Sequence, residues 1–176
     1  MATKLRQPTF DTERLRLRPF RKSDAKALHA LYGDAGNLRY WGVDPSPDLA
    51  STRKMLVWHI SFHPFHYALW AIEEKKSGKL VGMINYHRRD MRERRVDVGW
   101  MTLPRVQGKG YMTEAGRALL RHLFDRLKVH KVEALIRKEN KPSAALANRL
   151  EFRLEGGPIR DAGSRTDAGI ASCSTA

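Results

Sequence analysis

The 176-residue chain carries 33 Lys and Arg against 19 Asp and Glu, a formal charge of +14. Hydrophobic residues make up 41% of it, enough for one packed core and too many for a disordered chain. No stretch approaches the ~18 apolar residues of a membrane helix, residues 1–10 lack a secretory leader's apolar core, and the single Cys173 makes no internal disulfide. These features predict a cytoplasmic protein without a membrane partner. The charge favours anionic partners, yet the basic residues are spread along the chain rather than gathered in one arm. Nucleic acid is therefore not the expected partner.

Residues 14–20 (RLRLRPF) alternate leucine with arginine and predict a half-buried strand. Ser23 is placed to cap a helix that ends at Gly33, with Ala27, Leu28, Leu31 and Tyr32 on its apolar face. After a turn-rich stretch, Ser46-Pro47-Asp48 opens a second helix to about Phe62. Histidines 59, 63 and 66 crowd near its end, but their mixed spacing around Pro64 does not predict a metal site. Residues 67–73 and 80–86 read as a hairpin around Lys75-Lys76-Ser77-Gly78. A charged connection, 88–95, leads to a fourth strand at 95–102. A helix over 112–127 follows, with a stripe of Ala115, Ala118, Leu119, Leu120, Leu123 and Phe124. A short strand at 132–136, a helix at 142–150 and a strand from Phe152 complete the series. The order β-α-α-β-β-β-α-β-α-β predicts an α/β (α+β) domain of three layers.

The most informative stretch is Arg105-Val106-Gln107-Gly108-Lys109-Gly110-Tyr111, between a strand and a helix. At such a junction the first helical N–H groups lack internal partners, and the helix dipole adds positive potential. Gly108 and Gly110 let the backbone curl around an anion, and Arg105 and Lys109 add charge, so a pyrophosphate suits this turn. Two glycines in a strand-to-helix turn are also common without any ligand. The turn is neither a Walker loop nor a dinucleotide fingerprint.

This turn, with VGWMTLP before it and YMTEAGRALL after it, resembles the acetyl-CoA site of the GNAT acetyltransferase superfamily. TERLRLRPFRKSDA and NKPSAALANRLEF resemble its ribosomal-protein N-acetyltransferase (RimJ/RimL-like) group, and the resemblance runs from about Thr12 to Gly157. It implies a central mixed, mostly antiparallel sheet whose fourth and fifth strands splay apart. It implies that backbone groups of Met101, Thr102 and Leu103 pair with the pantetheine arm. The amides around Gln107, Gly108, Lys109, Gly110, Tyr111 and Met112 would hold the pyrophosphate, with Asn140 on the pantetheine and Ser143 near the thiol. Tyr40 and Trp41 would line the acceptor side.

The implied reaction moves an acetyl group from acetyl-CoA to a primary amine by direct attack in a ternary complex. A protein N-terminal α-amine is the expected acceptor, because its pKa of about 7.7–8.0 leaves it partly neutral where a lysine, near 10.4, is not. Asp97 is the candidate base, on the face of its strand shared with Arg95 and Gly99; an ordinary exposed strand carboxylate is its other reading. Ser143 is the candidate acid, or else a helix-capping hydroxyl. Glu114 reads as a helix-dipole partner. A small-molecule amine acetyltransferase and a catalytically impaired CoA-binding protein are the alternatives. Either a monomer or a homodimer is compatible with the sequence.

Two departures from the family pattern stand out. Glu151 occupies a position where the family carries glycine, at a left-handed helix end. After residue 160, the segment 161–176 (DAGSRTDAGIASCSTA) has eleven Ala, Gly, Ser or Thr among sixteen residues and one large aliphatic, Ile170. That composition predicts a disordered tail after a domain at 1–160, with the final strand of the sheet missing.

Overall fold

A computed structural model describes residues 6–63, 65–155, 159–160 and 167–174. Among the described residues, nine strands form one sheet: β1 (Phe10–Asp11), β2 (Leu15–Pro19), β3 (Ala68–Glu74), β4 (Lys79–Asp90), β5 (Arg95–Thr102), β6 (Lys131–Arg137), β7 (Arg153–Leu154), β8 (Ile159–Arg160) and β9 (Asp167–Ser174). Their order across the sheet is β1-β2-β3-β4-β5-β6-β9-β7, with β8 paired to β9. Every pairing is antiparallel except β5 with β6. The expected mixed, mostly antiparallel sheet is therefore present.

The helices are α1 (Ala25–Tyr32), α2 (Ala35–Leu38), α3 (Leu49–Ile60), α4 (Tyr111–Arg121) and α5 (Lys141–Arg149). The Tyr32 hydroxyl of α1 reaches the Met83 sulfur of β4, which seats α1, with α3 packed beside it, on one face. On the other face Trp70 of β3 packs against Tyr86 and against His122, which follows α4 in a π-helical turn. Leu15, Leu17, Trp70, Ile84, Leu119 and Leu123 are fully enclosed between sheet and helices. The leucines of RLRLRPF thus face inward as period two requires, but Arg18 is buried too. Its guanidinium forks onto Asp24 at 2.8 and 2.9 Å and reaches Glu73 at 2.6 Å. Asp24, not Ser23, sits at the N-terminal boundary of α1, and its carboxylate also accepts from the Arg21 amide.

The expectation that the final strand is missing is wrong. β9 lies between β6 and β7, pairing Val132 with Cys173, Leu135 with Ile170 and Arg153 with Ser172. Backbone hydrogen bonding is independent of side-chain bulk, and the β6 edge offers a full ladder to any extended segment. Small side chains also suit the place: Ala171 and Ser172 are buried there. The remainder of the tail expected to be disordered, 161–166 and 175–176, lies outside the described residues.

Helix α5 ends in a Schellman motif. The Phe152 amide donates to the Ala147 carbonyl and the Glu151 amide to that of Asn148, both at 3.0 Å. Glu151 takes the left-handed conformation that this motif needs, at φ 65°.

Candidate active site

Strands β5 and β6 run side by side only at Arg95, Val96 and Asp97, opposite Lys131, Val132 and Glu133. Beyond Asp97 they separate, and from Val98 onward β5 pairs only with β4. A sheet interior with an open backbone edge can accept an extended, amide-bearing ligand as a further strand. Leu103 does not belong to that edge. Its amide donates to Val81 at 3.0 Å, and its carbonyl accepts from Val106 at 3.0 Å.

The strand leads into the glycine turn at the start of α4. Gly108 and Gly110 both hold φ 76°, and a Cβ at Gly108 would meet nothing within 4 Å, so the turn is open on its concave side. The Gln107 amide is engaged by the Pro104 carbonyl. Among the described residues, no acceptor takes the amides of Gly108, Gly110, Tyr111 or Met112, which are the donors an anion would use. Glu114 anchors the helix start: it accepts from the Thr12 hydroxyl at 2.6 Å, the Arg14 amide at 2.8 Å and the Arg14 guanidinium at 2.7 Å. Although burial opposes it, these bonds hold its carboxyl below the ordinary range.

Turn and splay open into one cavity of about 1020 Å³. Met101, Thr102, Gln107, Gly108, Gly110, Tyr111 and Met112 line it, with Asn140 and Ser143 from α5 and Tyr40 and Trp41 from the turn after α2. Arg105 and Lys109 are not in its wall; Arg117, Arg121 and Arg149 are. Thr113, Arg117 and Arg121 follow one another at i, i+4 spacing, so α4 presents a cationic row to the cavity. A second cavity, of about 430 Å³, lies further along β4 and is lined by Trp41, His66, Leu69, Asn85, His87 and Arg88 among others. Trp41 belongs to both.

The family model described as "Acetyltransferase (GNAT) domain" matches residues 14–153. The chain belongs to the GNAT acetyltransferases. The spermidine N(1)-acetyltransferase of Escherichia coli (strain K12) is 26% identical over 144 residues, 81% of this chain and 74% of its own length. A putative ribosomal N-acetyltransferase of Bacillus subtilis, YdaF, is 34% identical over 84 residues, 48% of this chain and 45% of its own. The solved spermidine N-acetyltransferase from Vibrio cholerae in complex with CoA and spermine superposes with a TM-score of 0.80 at 20% identity, over 93% of this chain and 96% of that one. GNAT acetyltransferases use acetyl-CoA. The open β5 edge, the unclaimed amides of the glycine turn and the arginine row fit a long pantetheine arm ending in phosphates.

In this acetyltransferase the two residues proposed for catalysis lie on opposite faces of β5. Ser143 lines the larger cavity. Its hydroxyl lies 3.2 Å from the Trp100 indole nitrogen, and its amide donates to the Asn140 carboxamide at 3.2 Å. The cap of α5 is thus Asn140, and the Ser143 hydroxyl is not a cap. Asp97 sits on the other face, paired across the sheet with His87 of β4, and it lines neither cavity. Burial pushes its carboxyl up, against the nearby His87 and Arg88 charges; the Arg88 guanidinium is 3.4 Å away.

Sequence reasoning missed His87. Its Nδ1 donates to the Asn85 side-chain oxygen at 3.0 Å, which leaves Nε2 as the acceptor of a neutral ring. Burial holds that imidazole below its ordinary value, against the pull of Asp97. The available signal was two polar residues, Asn85 and His87, at period-two spacing directly after the apolar run 80–84. The arginines of α4 and α5 were legible as spacing too, but nothing in the sequence says which helix face meets the cavity.

Among the described residues, no helix is long and apolar enough to cross a membrane.

Proposed function

We propose that this acetyltransferase acts on a protein N-terminal α-amine, by direct attack within a ternary complex. The observation that carries this reading is Trp41, which forms part of both cavities. A donor on the β5 edge and an acceptor along β4 can therefore be held at once, with the reacting groups meeting at the indole. Preorganised approach of this kind removes much of the entropic barrier to a bimolecular reaction.

The basic groups near the acceptor are mild. His87 Nε2 faces the acceptor cavity and receives the amine proton, and the Asp97 carboxylate behind it stabilises the resulting cation. Such a base suits an α-amine, already partly neutral near pH 7, better than a lysine. Ser143 donates its proton toward the departing sulfur. Acetyl-CoA itself supplies the activated acetyl group. A covalent relay through Cys173 has little support: the residue sits in β9, and burial pushes its thiol up, away from the reactive thiolate.

Calorimetric titration of acetyl-CoA, followed by mass spectrometry of a peptide with a free N-terminus and an internal lysine, tests the reading. We expect binding that is lost in Gly108→Glu, and acetylation of the terminus alone. Acetylation confined to the lysine, or to spermidine, would overturn the α-amine assignment.

A further inference from the structure

The acceptor cavity has an electrical polarity. Its donor end, at Trp41, Asn85 and His87, is neutral and aromatic. Its far end carries His66 and Arg88, while Arg89 turns its guanidinium to the Leu127 carbonyl at 3.3 Å; among the described residues, no Asp or Glu lines the cavity. Asp97, the cross-strand partner of His87, pairs with the Arg88 guanidinium at 3.4 Å, and the exposed Arg88 side chain keeps further donors for a second carboxylate. Asp90, next along β4, is turned to the amides of Arg92 and Glu93, at 2.9 and 3.0 Å.

Arg88 is held there at a cost. The β4–β5 register shifts between His87 and Asp90, and Arg88 has φ 49°, a conformation that non-glycine residues seldom adopt. Bulges next to active sites commonly re-aim a side chain. Without the bulge, alternation would send residue 88 to the opposite face from His87. With it, the Arg88 guanidinium reaches Asp97, the cross-strand partner of His87, and the Arg88 side chain is 74% exposed.

We propose that the acceptor is a peptide with a carboxylate in its first few residues, received by Arg88 while its α-amine lies beside His87. This rests on the α-amine reading above. The order along the strand supports it: Arg88 directly follows His87, so a carboxylate at its guanidinium falls within the first few residues of a chain whose amine lies at His87. A polyamine would bring a second cation to Arg88, and like charges at close quarters are strongly disfavoured.

The test uses the full chain and two N-terminal serine peptides that differ only at positions two and three, Glu-Glu in one and Lys-Lys in the other. Spermidine and free glutamate are the further arms. At low ionic strength we expect kcat/KM for the acidic peptide to exceed that for the basic one by about tenfold or more. In Arg88→Gly, which accepts φ 49° without strain, the ratio falls to within about threefold while acetyl-CoA binding is retained. Calorimetric binding of the acidic peptide to the CoA-loaded protein should weaken in parallel. Equal use of the two peptides, preference for spermidine or for free glutamate, or a ratio untouched by Arg88→Gly would overturn this inference and leave acetyl transfer standing. Binding of acetyl-CoA without acetylation of any arm would overturn the α-amine reading and this inference together.

Discussion

The Trp100 indole of β5 and the Ser143 hydroxyl of α5 meet at 3.2 Å. An indole nitrogen has a proton and no lone pair, so Ser143 must accept, and its own proton stays free for another partner. We expect Ser143→Ala to lower kcat by about 10²-fold, in the range of lost general-acid catalysis, with little change in acetyl-CoA affinity. Trp100→Phe, which keeps the ring packed near Phe152, should cost less. Single-turnover kinetics would check both, and an unchanged kcat in Ser143→Ala would remove the hydroxyl from the reaction.

Glu151 holds φ 65° within a satisfied Schellman motif. Its side chain is exposed, so replacing it removes strain and little packing. Glu151→Gly should raise stability by about 1 kcal/mol in urea unfolding. A lower midpoint in that variant would show that the glutamate makes a contribution outweighing the left-handed backbone.

His122 predicts a pH dependence. It packs against Phe10, with ring centroids 4.8 Å apart, and burial, aided by Arg126 and Arg89, brings its pKa down to about 4. The unfolded chain, with an ordinary value near 6.5, takes up a proton first as pH falls. The stabilisation is thus fully present above pH 6.5 and is lost on acidification toward pH 4. His59, buried beside Tyr32, is lowered in the same sense. Urea midpoints measured across this window should fall, and His122→Phe should flatten the decline. An equally steep decline in the variant would assign it elsewhere.

Strand β9 sits between β6 and β7, so removing it exposes the whole outer ladder of β6. A chain ending at residue 166 is expected to aggregate or to pair with a second copy through that edge. Size-exclusion chromatography reads this directly. In the full chain, amides within 169–173 should exchange slowly; fast exchange there would place the segment outside the sheet.

The sequence by itself determined most of the scaffold. Leu15 and Leu17 alternate with arginines, the α4 stripe recurs at helical spacing, and Gly108 and Gly110 mark a left-handed turn; each pattern is local and survives without knowledge of neighbours. Strand β9 was not legible, because an Ala-, Gly- and Ser-rich segment has no strand preference until the β6 edge is there to pair with it. Nor were His87, Arg88 and the arginine row. A bulge turns Arg88 onto the face that His87 occupies, and the rotation of α4 against the sheet decides which arginines meet the cavity. Those choices belong to packing between elements distant in sequence, and only the folded chain makes them.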